Sequence, residues 1–370
     1  MAVVLTFLNG SVERVPMQLY AFYERSDIVA AVIEEGVTMI GEKTFQNCTS
    51  LVSVIFPEGL KEIGNDAFCG CTSLHSVALP SGVISLYPNA FEGCSSLVSV
   101  ALPDGMGTIG HGAFKNCTSL ISVAIPGGAK IKPDAFRGCS SLSAVTFSEG
   151  STAIRSSAFE RCTSLASVTI PAGVTSIGWR AFANCYSLGS VTISVGVTTI
   201  EKFCFLNCRS LTSVTIPEGL TTVQKSAFDG CTFLARVNIM DPTAKIYTSS
   251  FDRCRSITHV NIHDTVTVLF FFNNRRALVE KRIREMYEGQ PAWMHVFPTC
   301  PAANIKWPTG VREKYEAGFV DHTTAETILA ALTGQGRPRD FDLPELPMEM
   351  VANITGLRGG DFQEPRGQIH

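Results

Sequence analysis

Apolar residues recur along most of this chain with a period of about 23 residues. Each unit holds two apolar positions separated by one small or polar position, as in Val168-Thr169-Ile170 and Val214-Thr215-Ile216. Residues two apart on a strand point to the same face, so every unit predicts a short strand with one buried face. A proline ends six of these strands, and in eight units a glycine stands at the turn that follows.

Cysteine marks the period most clearly. Ten of the thirteen cysteines stand 23 residues apart, with a single step of 22 between Cys117 and Cys139. We call them the ladder cysteines: Cys48, Cys71, Cys94, Cys117, Cys139, Cys162, Cys185, Cys208, Cys231 and Cys254. A leucine or isoleucine follows each by three residues and a valine by six, and a phenylalanine recurs near the end of the unit. Self-similarity at such a period predicts a solenoid.

The predicted fold follows from what one unit lacks. A 23-residue coil cannot bury its own apolar side, whereas stacked coils place like residues over like and fill a continuous core. Ten coils at a strand spacing of ~4.8 Å give one parallel β-sheet roughly 50 Å long. We predict an N-terminal cap (1–30), a repeat solenoid of about ten coils (31–264) and a capping or docking C-terminal segment (265–370), mostly helix and loop.

The repeated motif resembles the BspA-like class of leucine-rich repeat. Good copies run from Leu165 to Pro171 with Ala181 to Cys185, and from Leu211 to Pro217 with Ala227 to Cys231. The resemblance covers about residues 31–264. It implies a solenoid used for protein binding, with no shared catalytic residues, and members of the class are often bacterial surface proteins.

Composition and charge narrow the function classes. The chain is 45% hydrophobic and 17% charged, which excludes intrinsic disorder over most of its length. A net charge of −3 argues against a nucleic-acid partner. No run of 18 apolar residues predicts a membrane-spanning helix. The first apolar run, Ala2 to Leu8, has no basic leader, so we expect a cytoplasmic protein, with a secreted or cell-surface location as the alternative.

The ladder cysteines allow three interpretations. The favoured one is a stacked row of small, buried, reduced side chains. Disulfides between coils are the second, but stacked side chains point the same way and not at each other. Metal binding is the third, but a row of ligands does not converge. The pair His259 and His263 lies on a strand pattern and is a poor metal site as well. We therefore predict no metal.

No catalytic constellation is recognisable. The serine, histidine and aspartate residues form no G-x-S-x-G hydrolase signature, and the glycine pair Gly127-Gly128 is not part of a phosphate loop. We therefore expect no enzyme activity and no cofactor.

The exposed face of the predicted sheet is the place to look for a binding site. Its side chains flank each strand valine in two rows. One row reads Ser53, Ser76, Ser99, Ser122, Ala144, Ser167, Ser190, Ser213, Arg236 and His259; the other reads Ile55, Ala78, Ala101, Ala124, Thr146, Thr169, Thr192, Thr215, Asn238 and Asn261. Eight coils are small and neutral, so the candidate partner-binding residues are Arg236, Asn238, His259 and Asn261. The alternative is repeat decay where the C-terminal segment docks.

Two aromatic residues at turn positions of neighbouring coils, Trp179 and Phe203, are further candidate anchors for a partner. Packing against their own turns explains them equally well.

The period stops at about residue 265. The apolar run 266–272 predicts a strand suited to covering the last coil. Residues 274–288 predict an amphipathic helix with a basic face, 291–308 a loop, and 323–332 a second helix.

A motif near the end resembles the opening of an F-box. Its matching residues are Leu346, Pro347, Glu349, Met350, Ile354 and Leu357. In that family the motif begins a helical module that docks on a Skp1-type adaptor of a ubiquitin ligase. Only a dozen residues match, and an ordinary terminal helix is the other interpretation.

Three functions remain open from the sequence. The favoured one is a non-enzymatic scaffold or assembly subunit that binds another protein. The second is a substrate-recognition subunit of a ubiquitin ligase that uses the F-box-like segment. The third is a secreted, adhesin-like surface protein.

Overall fold

Short strands recur once or twice in every coil of the structure, a computed structural model that describes residues 2–16, 22–151, 153–241, 244–261, 267–269 and 305–306. In chain order the described strands are β1 (Ala2–Phe7), β2 (Val12–Pro16), β3 (Ile28–Ile33), β4 (Met39–Ile40), β5 (Ser53–Ile55), β6 (Glu62–Ile63), β7 (Ser76–Ala78), β8 (Ser85–Leu86), β9 (Ser99–Ala101), β10 (Thr108–Ile109), β11 (Ser122–Ile125), β12 (Lys130–Ile131), β13 (Ala144–Phe147), β14 (Ser167–Ile170), β15 (Ser176–Ile177), β16 (Ser190–Ile193), β17 (Thr199–Ile200), β18 (Ser213–Ile216), β19 (Thr222–Val223), β20 (Arg236–Ile239), β21 (Lys245–Tyr247), β22 (His259–Asn261), β23 (Thr267–Leu269) and β24 (Ile305–Lys306). One 3₁₀ turn spans Thr248–Phe251.

These strands form two parallel ladders along the solenoid. The major ladder contains the strand after each ladder cysteine, preceded by β3 and followed by β24. Its strands are β3, β5, β7, β9, β11, β13, β14, β16, β18, β20, β22 and β24, and the pairing is interrupted between β5 and β7 and between β13 and β14. The minor ladder contains β4, β6, β8, β10, β12, β15, β17, β19, β21 and β23. Neighbouring strands pair in register, as in Ser213↔Arg236 and Val214↔Val237, so equivalent residues of successive coils lie side by side. The predicted leucine-rich repeat solenoid of about ten coils is confirmed.

The sequence predicted a single sheet. That prediction is wrong, because the minor ladder forms a second row of paired strands. Each of its strands contributes only two or three residues, such as Ser176–Ile177, and every one from β4 to β21 buries one of them. A single buried aliphatic residue per coil gives no alternation from which a strand can be recognised. The backbone nevertheless pairs there because stacking brings equivalent residues together.

The two ends of the solenoid differ. At the N-terminal end, β1 pairs antiparallel with both β2 and β3, and β2 is an exposed edge strand. Its Arg14 pairs with Glu34, with 2.6 Å between Nη2 and Oε2. At the other end, β23 pairs with β21 and lies within the predicted strand run 266–272. β24 pairs with β22, whereas the sequence predicted a loop at 291–308. The helices predicted at 274–288 and 323–332 lie outside the described residues.

The third side of each coil is a turn with left-handed residues that hydrogen-bonds to the next coil. Asn116 adopts φ 60° and Gly138, one coil later, φ 75°. A Cβ atom on Gly138 would lie 2.4 Å from Asn116 Oδ1. The same fit joins Asn47 to Gly70 and Asn207 to Gly230, so an asparagine in one coil occupies the space that glycine leaves in the next.

A stack of phenylalanine rings runs through the core. Eleven rings from Phe22 to Phe251 lie one per coil, with adjacent centroids 5.0–5.5 Å apart. Beyond the first pair their planes differ by at most 8°. Ten of these rings, all but Phe22, are among the largest fully buried side chains of the described chain. The stack therefore makes a large contribution to the apolar contact between coils.

The ladder cysteines form a second row beside the rings. Each thiol donates to the carbonyl oxygen of the phenylalanine of the preceding coil, with Sγ–O distances of 3.0–3.3 Å. Cys71 Sγ, for example, lies 3.1 Å from the carbonyl oxygen of Phe45. All ten are buried free thiols. Alanine or valine would also suit this apolar position, but neither has a side-chain donor. The hydrogen bond therefore explains why the position holds cysteine.

Burial changes the acidity of these thiols. Loss of hydration raises the pKa of the ladder thiols from Cys48 to Cys231. The pKa of Cys139 and of Cys185 rises to about 12, although a backbone N–H close to each thiol acts in the opposite direction. The folded protein therefore strongly disfavours thiolates, and these cysteines are poor nucleophiles.

We expect Phe159→Ala to lower the free energy of unfolding by roughly 3–5 kcal/mol, because it leaves a gap in the ring stack. The control is Ser167→Ala on the exposed sheet face, which we expect to change stability by less than about 0.5 kcal/mol. Denaturant unfolding measures both. Equal effects would contradict the assignment of inside and outside.

We expect stability to fall steeply as pH rises above about 8.5. An unfolded cysteine loses its proton near that pH, whereas the buried thiols keep theirs up to much higher pH, so the unfolded state binds fewer protons. The cost at pH 9.5 is roughly 1.4 kcal/mol for each ladder thiol from Cys48 to Cys231. Over the row this approaches the whole net stability of a typical domain. Denaturant unfolding at pH 7 and pH 9.5, followed by circular dichroism, measures the loss.

The control is the Cys139→Ala/Cys162→Ala variant. With two thiols fewer, its loss of stability between pH 7 and pH 9.5 should be smaller by about 3 kcal/mol. An unchanged slope would contradict the prediction. So would disulfides between ladder cysteines in a non-reduced peptide map.

Candidate partner-binding surface

The two outward rows of the major ladder are exposed along most of their length, as predicted, but they are not uniform. One row begins with Val32 and Ile55, continues with three alanines, changes to four threonines and ends with Asn238 and Asn261. Ile55 is 61% exposed. Val52, just before β5, and Ile121, just before β11, are exposed as well. The N-terminal half of this face is thus more apolar than the expected neutral surface, and the threonine half is more polar.

The structure brings the four candidate sheet residues together at the C-terminal end of this face. Arg236 and His259 are partners on the adjacent strands β20 and β22, and both are exposed. Asn238 and Asn261 form the next pair and are half-buried. Asn238 Nδ2 donates to Thr215 Oγ1 at 3.4 Å, and His259 Nδ1 lies 2.9 Å from Thr258 Oγ1.

Three residues that sequence reasoning missed stand next to them. Tyr186 and Arg209 directly follow the ladder cysteines of two successive coils, and Phe233 is the second residue after the ladder cysteine of the next coil. Most coils carry threonine or serine at these positions. Phe233 is 65% exposed and Tyr186 40% exposed. The guanidinium carbon of Arg209 lies 5.0 Å from the centroid of the Tyr186 ring. The signal was present in the sequence as a departure from two rows of hydroxyl side chains.

Backbone hydrogen bonds hold this group in place. The N–H of Ser210 donates to the carbonyl oxygen of Tyr186 at 3.2 Å, and that of Phe233 to the carbonyl oxygen of Arg209 at 3.3 Å. The coils are therefore directly adjacent, and the residues lie at the edge from which the major strands begin. We define the C-terminal patch as Tyr186, Arg209, Phe233, Arg236, Arg255 and His259, all of them exposed.

Charge sets this patch apart from the rest of the solenoid. From each ladder cysteine to the end of the strand that follows, none of the ten coils contains an aspartate or a glutamate. The only arginines in those segments are Arg209, Arg236 and Arg255. The acidic residues of the coils occupy other sides. The C-terminal patch is therefore positive and aromatic, with no carboxylate in these segments.

Trp179 and Phe203 lie on the turn side of the coils and not on the sheet. Arg180 joins them, with its guanidinium carbon 5.0 Å from the ring centroid of Trp179 and 6.0 Å from that of Phe203. It also reaches the buried carboxylate of Glu160 at 3.4 Å, as Arg137 does at 3.5 Å. Trp179 is exposed and Phe203 half-buried. Trp179 thus contacts an arginine of its own turn, and Phe203 contacts the equivalent residue of the preceding coil. Trp179 still presents an exposed surface.

Phe203 has an unusual backbone for an aromatic residue. Its φ is 59°, in the left-handed region, where most equivalent positions hold asparagine, aspartate, serine or glycine. This conformation costs about 1 kcal/mol for a bulky residue.

The remaining candidates are a metal site, a membrane-spanning helix and the F-box-like segment. In the described part of the chain, no three His, Cys, Asp or Glu side chains are grouped as metal ligands. Nor does any helix there have the length and apolar character to cross a membrane. His263 and the F-box-like residues Leu346, Pro347, Glu349, Met350, Ile354 and Leu357 lie outside the described residues.

Known proteins share the repeat. The model of the BspA type leucine rich repeat region matches residues 17–143 and 152–275, with six copies. A leucine rich cell surface protein from Faecalibacterium prausnitzii A2-165 is 26% identical over 71% of this chain and 85% of its own, with a TM-score of 0.39. A leucine-rich repeat protein from Bacteroides ovatus ATCC 8483 is 22% identical over 74% and 99%, with a TM-score of 0.40. A comparison with curated protein sequences gives no match.

We expect Phe203→Asn to raise the free energy of unfolding by about 1 kcal/mol, because asparagine tolerates a positive φ and phenylalanine does not. Denaturant unfolding measures the change. The control is Phe203→Leu, which keeps the backbone conformation unfavourable and should not be stabilising. Destabilisation by Phe203→Asn would mean that the ring packs on Arg180 more strongly than the backbone is strained.

Proposed function

This chain belongs to the BspA-type leucine-rich repeat family, and from that premise we propose that it is a non-enzymatic scaffold that binds another protein through its major sheet face. One observation carries the proposal: the C-terminal patch gathers exposed arginine and aromatic side chains on a face that otherwise presents mostly serine, alanine and threonine. No nucleic acid, metal or cofactor enters this function.

The composition of the patch supports protein recognition. A few tyrosine, tryptophan and arginine residues usually supply most of the binding energy of an interface. Tyr186, Arg209 and Arg236 are such residues, and Phe233 adds a large exposed ring. They stand on successive coils of a rigid ladder, so little conformational entropy is lost when a partner binds. The serine and alanine rows offer little area and no charge.

The chemistry of the cysteines supports a non-enzymatic role. The ladder thiols are buried and donate to backbone carbonyls, and the raised pKa values of those from Cys48 to Cys231 keep them protonated. A catalytic cysteine needs the opposite, a lowered pKa and access to substrate.

The location of the protein follows the family. The cytoplasmic location expected from the sequence has no support in the comparisons. We propose the cell surface, which fits the family better. Buried thiols are compatible with an oxidising environment because oxidants and partner thiols do not reach them. The Skp1-type adaptor has no support either, and no observation favours the ubiquitin-ligase alternative.

We expect an Arg236→Ala/His259→Ala variant to lose the main partner. The partner is first identified by affinity purification of the full chain followed by mass spectrometry. Removal of two central anchors should then weaken binding at least about 10-fold, since an anchor commonly contributes more than 1 kcal/mol. Pull-down or titration with the purified partner measures it.

The matched control is Ser76→Ala/Ser99→Ala, two changes on the same face at the other end of the solenoid, which should leave binding unchanged. Circular dichroism checks that both variants fold equally. If the Arg236/His259 variant binds like the unchanged chain, the site lies instead near Trp179 and Phe203 or beyond the solenoid.

A further inference from the structure

The most acidic segment of the chain lies beyond the solenoid, at residues 340–349. It contains Asp340, Asp342, Glu345 and Glu349 and no basic residue, a larger net negative charge than any other ten-residue window. Phe341, Leu343, Leu346 and Met348 alternate with these carboxylates. The segment thus carries negative charge and apolar side chains, which complement the positive charge and the aromatic rings of the C-terminal patch.

The backbone of the chain passes close to the patch before it reaches this segment. β24 pairs with β22, with Val260 opposite Ile305 and Asn261 opposite Lys306. β22 carries His259, so Lys306 stands one strand beyond the C-terminal patch on the same ladder. From there, 33 residues separate Lys306 from Asp340.

The length of this connection is sufficient. The patch extends from the coil of Cys185 to the coil of Cys254, three steps of ~4.8 Å, or roughly 15 Å. With residues 323–332 as the predicted helix of ~15 Å and the other residues of the connection as a flexible chain, its root mean square span is roughly 30 Å. A connection of that length holds an attached segment at an effective concentration of about 1 mM, at which weak contacts suffice for docking.

We propose that residues 340–349 dock in cis on the C-terminal patch. Their carboxylates face Arg209, Arg236 and Arg255, and their apolar side chains cover the rings of Tyr186 and Phe233. This inference rests on the proposed function, because it uses the same surface. It also defines the chemistry of the external partner, which must be an acidic protein segment with apolar residues that displaces the tail.

Photo-cross-linking of the full chain tests the docking directly. Phe233 is replaced by the photoreactive residue p-benzoylphenylalanine, and the cross-linked peptides are identified by mass spectrometry. We expect the main product to join position 233 to residues 340–349 within one chain, with a yield that does not depend on protein concentration. The yield should fall several-fold between 50 mM and 500 mM NaCl, because salt screens exposed charges.

Two controls define the specificity. The same photoreactive residue at Val195 should give no link to residues 340–349. Val195 is 63% exposed and lies two residues beyond the end of β16, on the side away from Tyr186. Charge reversal by Asp340→Lys/Asp342→Lys should remove the link from position 233, and circular dichroism shows whether that variant folds. Absence of residues 340–349 from the products, or links only between two chains, would overturn the docking.

Measurements of partner binding distinguish a failure of the docking proposal from a failure of the proposed function. If the tail competes for the patch, Asp340→Lys/Asp342→Lys should bind the partner several-fold more tightly than the unchanged chain. A link from position 233 to the tail, together with unchanged partner binding by Arg236→Ala/His259→Ala, would refute the proposed function alone. Loss of partner binding in that variant without a link to the tail would refute the docking alone.

Discussion

Every coil of this solenoid must fit on a near copy of itself, and the rest of the structure depends on that constraint. An interior side chain is suitable only if it packs against its own equivalent about 5 Å above and below. Phenylalanine meets this condition as a parallel stack of rings. Cysteine meets it in another way, because its thiol donates to a backbone carbonyl oxygen of the preceding coil. The exterior is under no such constraint, so the residues that differ between coils lie there.

The constraint is weakest in the middle of the solenoid. No strand pairing joins β13 to β14 or β12 to β15, so both ladders are interrupted there, whereas at the other interruption, between β5 and β7, the minor ladder continues. The N–H of Ala166 still donates to the carbonyl oxygen of Ser143 at 3.4 Å. The buried position that holds Val174 and Leu220 in later coils holds Ser151 here, whose hydroxyl bonds back to the Ser148 carbonyl oxygen at 3.2 Å. Because a solenoid is stabilised by contacts between neighbouring coils, this is the junction where the two halves are least strongly joined.

The sequence was informative where a residue type repeats and uninformative where geometry decides. The buried rows and the outward rows could be predicted, because every copy of the strand alternates inward residues, such as Val168, with outward ones, such as Thr169. The minor ladder could not, since a pair such as Ser176–Ile177 is too short to show alternation. Arg236 and His259 were found because they interrupt a row already assigned to the surface. Phe233 also interrupts a row, but it was missed because the sequence did not assign the residues between the ladder cysteine and the strand to the surface.

The fit of asparagine to glycine across neighbouring coils makes the repeats non-interchangeable. Gly138 is compatible with Asn116 beneath it, and Asn207 follows Asn184 only because their amides hydrogen-bond at 3.0 Å. A recombination event that deletes or duplicates one coil creates a new pair of neighbours at this position. An arginine such as Arg161 placed directly after Asn116 would bring a Cβ to 2.4 Å from the position of the amide oxygen, so the amide would have to move. Junctions that preserve this pairing are therefore the ones at which the array gains or loses copies at the least cost, which gives its repeats an inherited order.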